Sequence, residues 1–184
     1  MKIHGTAKGG ALSKKDFGVA FAPAAEQTSQ EQLERDDARN AYQSSQAGVG
    51  LYLASNDALG VGSKLVSYTA FVTKQGSPTG TVYCRVYNGG SLETTATTTY
   101  DASDISSSPT FDEKEFTFDE THTLASGDFI LLWYDEGDGS NYLQVGYQNE
   151  DVYDGTDSVL GFHHSSTFQN NTGDDPTFKM TYSP

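Results

Sequence analysis

Short segments in which apolar and polar residues alternate recur from residue 48 to the end of this chain. The clearest is the heptapeptide TVYCRVY, at residues 81–87, and the segments YLQVGYQ and FKMTYS repeat its pattern further on. Alternation with a period of two is typical of a β-strand with one face buried and the other exposed. The side chains that we expect to point into the core are Val82, Cys84, Val86, Leu143 and Val145.

Two other segments predict strands that are more deeply buried. The stretch FILLWY, at residues 129–134, is apolar on both faces, which indicates a central strand that is covered on both sides. The stretch SKLVSYTAFVTK, at residues 63–74, predicts a strand with one inward face. About seven such strands, spaced ten to twenty residues apart and joined by turns, favour an all-β antiparallel sandwich. The inward face of the second stretch is expected to carry Val66, Tyr68, Ala70 and Val72.

The residues before 48 follow different patterns and divide the chain into three parts. Residues 1–25 form a basic arm that contains one predicted strand, and residues 48–184 form the sandwich. Residues 26–47 are predicted to be a short helical spacer, because Ser29 and Gln32 have the spacing of a capping box. In the strand of the arm, Phe17, Val19 and Phe21 alternate with Gly18 and Ala20.

Charge is distributed unevenly along the chain. Residues 1–15 contain four lysines and no acidic residue, which leaves −18 on the remainder of a chain whose net charge is −14. Because the remainder of the chain is so acidic, it should repel nucleic acid and anionic membranes, and we expect neither as a partner. No apolar run is long enough for a membrane span, and none follows Met1 as in a secretory signal peptide. The expected partner of the basic arm is an acidic surface such as the body of another copy.

Three segments, SKLVSYTAFVTKQGSPTGTVYCRVYN, DFILLWYDEGDGSNYLQVGYQN and FKMTY, follow one another in an order that resembles a known family. This family is the jelly-roll domain of structural proteins of phages and archaeal viruses and of some microbial surface proteins. The resemblance covers roughly residues 48–183. The leader MKIHGTAKGGALSKKDFGVAF likewise resembles a short leader found before other β-rich archaeal and viral proteins. The resemblance implies a jelly-roll sandwich and a role in assembly or attachment, and it supplies no catalytic residue.

Two functions remain open at this stage. The first is a non-enzymatic structural protein that assembles with itself through its arm, as part of a virion or another extracellular assembly, and that is cytoplasmic before assembly. The arm residues that would carry this contact are Lys14, Lys15, Phe17, Val19 and Phe21. The arm strand could instead pair within its own domain. The second function is a carbohydrate-binding or host-adhesion module, whose partners would be cell-surface glycans or other virion proteins.

Exposed aromatic rings would carry the second function, because flat rings stack on sugar faces. The outward face of TVYCRVY presents two tyrosines and an arginine, and either aromatic residue at the end of FILLWY could be exposed beside them. The predicted sugar-binding set is therefore Tyr83, Arg85, Tyr87, Trp133 and Tyr134.

A cluster of oxygen-bearing residues in the loop DEGDGSN raises the possibility of calcium, although the spacing departs from that of an EF-hand. The candidate ligands are Asp135, Glu136, Asp138 and Asn141. We expect no other cofactor. No nucleophile elbow, phosphate-binding loop or dinucleotide motif is present, so we do not expect an enzyme. The single cysteine, Cys84, is expected to be a buried core thiol.

Overall fold

The computed structural model describes residues 27–43, 46–153 and 155–184. The predicted arm at residues 1–25 lies outside these ranges. Two single-turn 3₁₀ helices lie at Ala102–Asp104 and Gly155–Asp157. The strands in chain order are β1 Thr28–Gln32, β2 Asp37–Ala41, β3 Gly48–Leu53, β4 Lys64–Gln75, β5 Thr81–Asn88, β6 Ser91–Thr95, β7 Tyr100–Asp101, β8 Asp112–Thr117, β9 Asp128–Trp133, β10 Tyr142–Gln148, β11 Ser158–His164, β12 Thr167–Asn171, β13 Asp175–Pro176 and β14 Phe178–Ser183.

These strands form two antiparallel sheets of seven strands each. In sheet 1, β4 pairs with β8 along one edge and with β14 and β10 along the other, and these two pair in turn with β1 and β2. In sheet 2, the order is β12–β11–β3–β9–β5–β6, and β7 is also paired to β5. The prediction of an all-β antiparallel sandwich is confirmed.

The strand order is that of a jelly roll. We count β1 and β2 as one interrupted first strand, followed by β3, β4, β5, β6, β8, β9 and β10. Sheet 1 then has the order first, eighth, third, sixth, where β14 lies between β1 and β4 and shares the eighth position with β10, which lies between β2 and β4. Sheet 2 has the order second, seventh, fourth, fifth. Successive strands therefore alternate between the sheets, except where a hairpin joins β5 to β6. β11 and β12 extend sheet 2 beyond β3.

The main core lies between the two sheets and contains the side chains that the alternating segments predicted. Val82, Cys84, Val86, Leu143 and Val145 are all fully buried. Burial also raises the pKa of the Cys84 thiol, as expected for an unreactive core cysteine. Every residue of β9 is buried, which confirms the prediction of a central strand covered on both faces.

The prediction of a helical spacer is wrong for the described part of residues 26–47. Two strands, β1 and β2, occupy this segment, and Ser29 pairs with Thr181 instead of capping a helix. The helical signal was local, whereas pairing with β14 and β10 satisfies the backbone through residues more than one hundred positions away. Tertiary pairing of this kind overrides a weak helix propensity.

The predicted inward face of β4 is wrong at one position. Tyr68, Ala70 and Val72 are fully buried, but Val66 is only half-buried and Leu65 points into the core in its place. The pairing of β14 with β4 shifts register between Thr181 and Tyr182, and such a bulge reverses the alternation beyond it.

Sheet 2 curls around its own outer face, because glycines let neighbouring strands approach closely. A Cβ atom at Gly50 of β3 would lie 2.2 Å from the carbonyl oxygen of Ile130, and one at Gly161 of β11 would lie 2.9 Å from the ring of Phe129. The β11–β12 hairpin consequently bends over the outer face and brings Phe168 to a ring distance of 4.7 Å from Tyr87 of β5. A second, aromatic layer therefore packs outside the main core.

Candidate functional site

The aromatic layer on sheet 2 holds four of the five predicted sugar-binding residues. Tyr83, Arg85, Tyr87 and Trp133 share this face, and the Arg85 guanidinium lies 4.6 Å from the ring centre of Tyr83. Phe168 covers much of the layer, so Trp133 is 8% exposed and Tyr87 is 9% exposed. The rings are therefore used mainly for packing, and Tyr83 and Arg85 are the more accessible members of the set.

Tyr134, the fifth member of the predicted set, lies elsewhere. It is fully buried in the main core, where its hydroxyl donates to the carbonyl of Thr79 at 2.8 Å. Because both faces of β9 are apolar, the sequence could not decide which of Trp133 and Tyr134 faces outward. The inclusion of Tyr134 in an exposed site is wrong.

In the acidic loop after β9, the candidate calcium ligands are engaged with the protein itself. Asp135 accepts a hydrogen bond from Nε1 of Trp133, and Glu136 accepts one from the backbone of Thr81. Asp138 accepts from the backbone amides of Ser140 and Asn141, which lowers its pKa. Within residues 27–43, 46–153 and 155–184, no group of three or more His, Cys, Asp or Glu side chains is arranged to hold a metal ion. The calcium hypothesis stays a prediction.

The outer face of sheet 1 forms a polar groove of about 700 Å³. Two cross-strand rows run along it, set by the register of β1, β14, β4 and β8. One row aligns the hydroxyls of Ser29, Thr181 and Ser67. The other aligns Glu31, Lys179, Thr69 and Glu115. We call this surface the outer groove.

The charge of the outer groove is predominantly negative. Lys179 forms an ion pair with Glu113, and this hydrogen bond raises the pKa of the lysine. Glu31 and Glu115 flank the same lysine in its cross-strand row. The groove therefore contains three carboxylates and one ammonium group, which suits it to a cationic or hydroxyl-rich partner.

A second cavity, of about 240 Å³, lies between β2 of sheet 1 and β11 of sheet 2. Its wall includes Arg39, Gln46, His163 and His164, and we call it the inter-sheet cleft. The Arg39 guanidinium carbon lies 3.4 Å from the ring centre of Phe162, and Nε2 of Gln46 lies 3.1 Å from Nδ1 of His164. The sequence did not reveal this cleft, because the helix prediction hid β2 and its pairing.

The arm residues Lys14, Lys15, Phe17, Val19 and Phe21 lie outside the described residues. Among the described residues, β1 begins at Thr28 and lies at an edge of sheet 1. Ser29 and Glu31 of this same strand form one wall of the outer groove. β1 therefore lies beside an acidic surface.

Comparison of the chain with models of protein families, with curated proteins and with solved structures finds no match. A separate search of the described residues finds no helix long and apolar enough to cross a membrane. The fold and the geometry of these surfaces are thus the basis on which a function is proposed.

Proposed function

We propose that this chain is a non-enzymatic structural protein that assembles with copies of itself. The N-terminal arm of one copy adds as a strand to the β1 edge of sheet 1 in another copy. The setting that we propose is a virion or another extracellular assembly, which follows from the resemblance of the jelly-roll segments and the leader to viral proteins. The observation that carries the proposal is the open edge of β1.

Several features of that edge favour the addition of a strand. β1 pairs with β14 on one side, and no strand among the described residues pairs with its other side. Unpaired edge strands are templates for another strand, and proteins commonly cover them. Leu33, directly after β1, is 48% exposed. The buried amide of Gln32 has no hydrogen-bond partner among the described residues, so an incoming strand would offer it one.

Charge supports the same contact. The arm carries Lys2, Lys8, Lys14 and Lys15, whereas the outer groove beside β1 is acidic. Opposite charges accelerate encounter and set orientation more than they add affinity. The apolar side chains of Phe17, Val19 and Phe21 would supply the lasting part of the contact, at about 1.5–3 kcal/mol for each one that is fully buried.

The competing arrangement is a hairpin within one chain, because only residues 23–27 separate the arm strand from β1. A mixing experiment distinguishes the two. One variant, Phe17→Ser with Phe21→Ser, has a defective arm and an intact edge. The other, Leu33→Lys, has an intact arm and an edge that repels it. The control Leu92→Lys alters an equally exposed leucine on sheet 2.

In the proposed assembly, each variant alone is monomeric. An equal mixture forms a dimer, in which the intact arm of Leu33→Lys binds the intact β1 edge of the double Phe→Ser variant. Leu92→Lys assembles like the wild type. A mixture that stays monomeric while the wild type assembles would contradict the exchange of arms between copies.

A second candidate, binding of a neutral glycan, is favoured by the rows of hydroxyls and carboxylates in the outer groove. Glycan affinity of this kind would survive the two arm substitutions, whereas assembly would not. A glycan-array measurement on the arm variant therefore separates the two functions.

A further inference from the structure

We propose that the inter-sheet cleft is a binding site for an oxyanion, namely the carboxylate or sulfate group of a small ligand, with Arg39 as the recognising residue. This site is separate from the β1 edge, and its occupation does not depend on assembly.

The position of Arg39 is the first support. The guanidinium lies over the ring of Phe162, which holds it by a cation–π contact. No carboxylate among the described residues forms an ion pair with it, although 22 of the chain's 25 acidic residues lie within those ranges. Partial burial lowers the pKa of Arg39, yet the group stays cationic at any physiological pH. A held guanidinium presents a fork of donors that matches a carboxylate or sulfate.

The neighbouring polar groups are the second support. His164 lines the cleft on the same face of β11 as Phe162, and its Nδ1 lies 3.1 Å from Nε2 of Gln46. The ring of the adjacent His163 packs instead against Trp133 and Phe168 in the aromatic layer. Gln46 and Asn40 add amide groups to the same wall, suited to the hydroxyls of a small sugar acid.

Asp37 lines the cleft and Asp174 lies near Arg39, but both carboxylates accept hydrogen bonds from other groups. Asp37 accepts hydrogen bonds from the hydroxyl of Tyr147 and from the backbone amide of Ala38, which keeps its carboxylate oriented toward those donors. Asp174 accepts a hydrogen bond from the side chain of Asn171. Asp174 interacts with Arg39 electrostatically, but neither carboxylate forms an ion pair with it, so the guanidinium can still contact an incoming anion directly.

The size of the cleft limits the ligand. A volume of about 240 Å³ is below the usual range for drug-sized ligands, about 300–1,000 Å³. It suits an inorganic oxyanion or one acidic sugar unit. The net charge of −14 disfavours diffuse binding of anions, so saturable binding would indicate a defined site.

The test is a titration of the full chain, followed by NMR through the imidazole and guanidinium nitrogen signals. The probes are sodium glucuronate, sodium sulfate and, as a neutral analogue, glucose. We expect saturable shifts of the Arg39 and His164 signals with glucuronate or sulfate and none with glucose. The tighter of the two anions identifies whether a sugar acid or an inorganic oxyanion is the better ligand.

The substitution Arg39→Gln should weaken anion binding at least tenfold. Arg39→Lys keeps the positive charge but loses the paired donors of the guanidinium, so its anion affinity should lie between those of Arg39→Gln and the wild type. This second variant keeps the test valid if Arg39→Gln does not fold. The control is Arg35→Gln, which removes an arginine stacked on Phe111, outside the cleft, and should leave binding unchanged. Absence of saturable binding by both anions, equal binding of glucose, or binding that survives Arg39→Gln would overturn the proposal.

Discussion

Nε2 of His122 lies 2.7 Å from Oδ2 of Asp128, whose carboxylate is fully buried at the start of β9. The same carboxylate accepts hydrogen bonds from the side chain of Asn88 and from the backbone amide of Ala125. Asp128 thus ties the turn before β9 to the end of β5.

Replacing Asp128 by Ala should destabilise the fold by about 3–5 kcal/mol, because it leaves three donors, one of them on His122, without their acceptor. Asp151→Ala, at an exposed loop position, should change the free energy of unfolding by less than about 0.5 kcal/mol. Urea denaturation of both variants measures the difference. Equal stabilities would show that the buried carboxylate does not hold the turn.

Val145→Asp places a charge in the main core between the sheets, at a site with no exposure. We expect a loss of about 3–5 kcal/mol, since no partner is available to compensate for burial of the carboxylate. The matched change Val152→Asp affects a valine that is 45% exposed and should be nearly neutral. Thermal melts followed by circular dichroism compare the two, and a wild-type melting temperature for Val145→Asp would refute the inward face assigned to β10.

Gly50→Ala tests the curl of sheet 2. The added methyl group would lie 2.2 Å from the carbonyl oxygen of Ile130, so β3 and β9 must move apart at their centre. Overpacking of this kind costs about 1–3 kcal/mol. Gly139→Ala, where nothing lies within 4 Å, serves as the control. Near-ultraviolet circular dichroism reports on the aromatic layer and should change in Gly50→Ala alone.

His163 should make stability dependent on pH. Burial, with a smaller contribution from His164, lowers its pKa below the ordinary value of 6.5. The unfolded chain therefore protonates this imidazole at a higher pH than the folded protein does. As the pH falls below about 6.5, protonation of the unfolded chain lowers the free energy of unfolding. His163→Gln should flatten the stability profile between pH 6.5 and 5. An unchanged profile in His163→Gln would mean that the imidazole titrates freely in the folded protein.

Sequence periodicity predicted the strands whose inward faces alternate regularly, such as β5 and β10. It failed where alternation is interrupted or absent. At the bulge in β4, Leu65 points into the core in place of the predicted Val66. Both faces of β9 are buried, so its sequence does not indicate the face on which Trp133 lies. The helix prediction failed because pairing with β14 and β10 decides the conformation of β1 and β2.

The surfaces were harder to predict than the strands. Arg39 and His164 are 125 positions apart and belong to different sheets, so only the packing of β2 against β11 brings them to one cleft. The aromatic layer was partly predictable from the outward residues of TVYCRVY, but its cover, Phe168, depends on the curl that Gly50 and Gly161 allow.

The central claim is that the arm joins copies of this chain, and the most direct test is the mass in solution of the wild type and of the double variant Phe17→Ser, Phe21→Ser. Multi-angle light scattering should give the wild type a mass that is a multiple of 19.8 kDa and the variant a folded monomer of 19.8 kDa. A wild type that is already monomeric, together with a variant that unfolds, would contradict the account and assign the arm strand to its own domain.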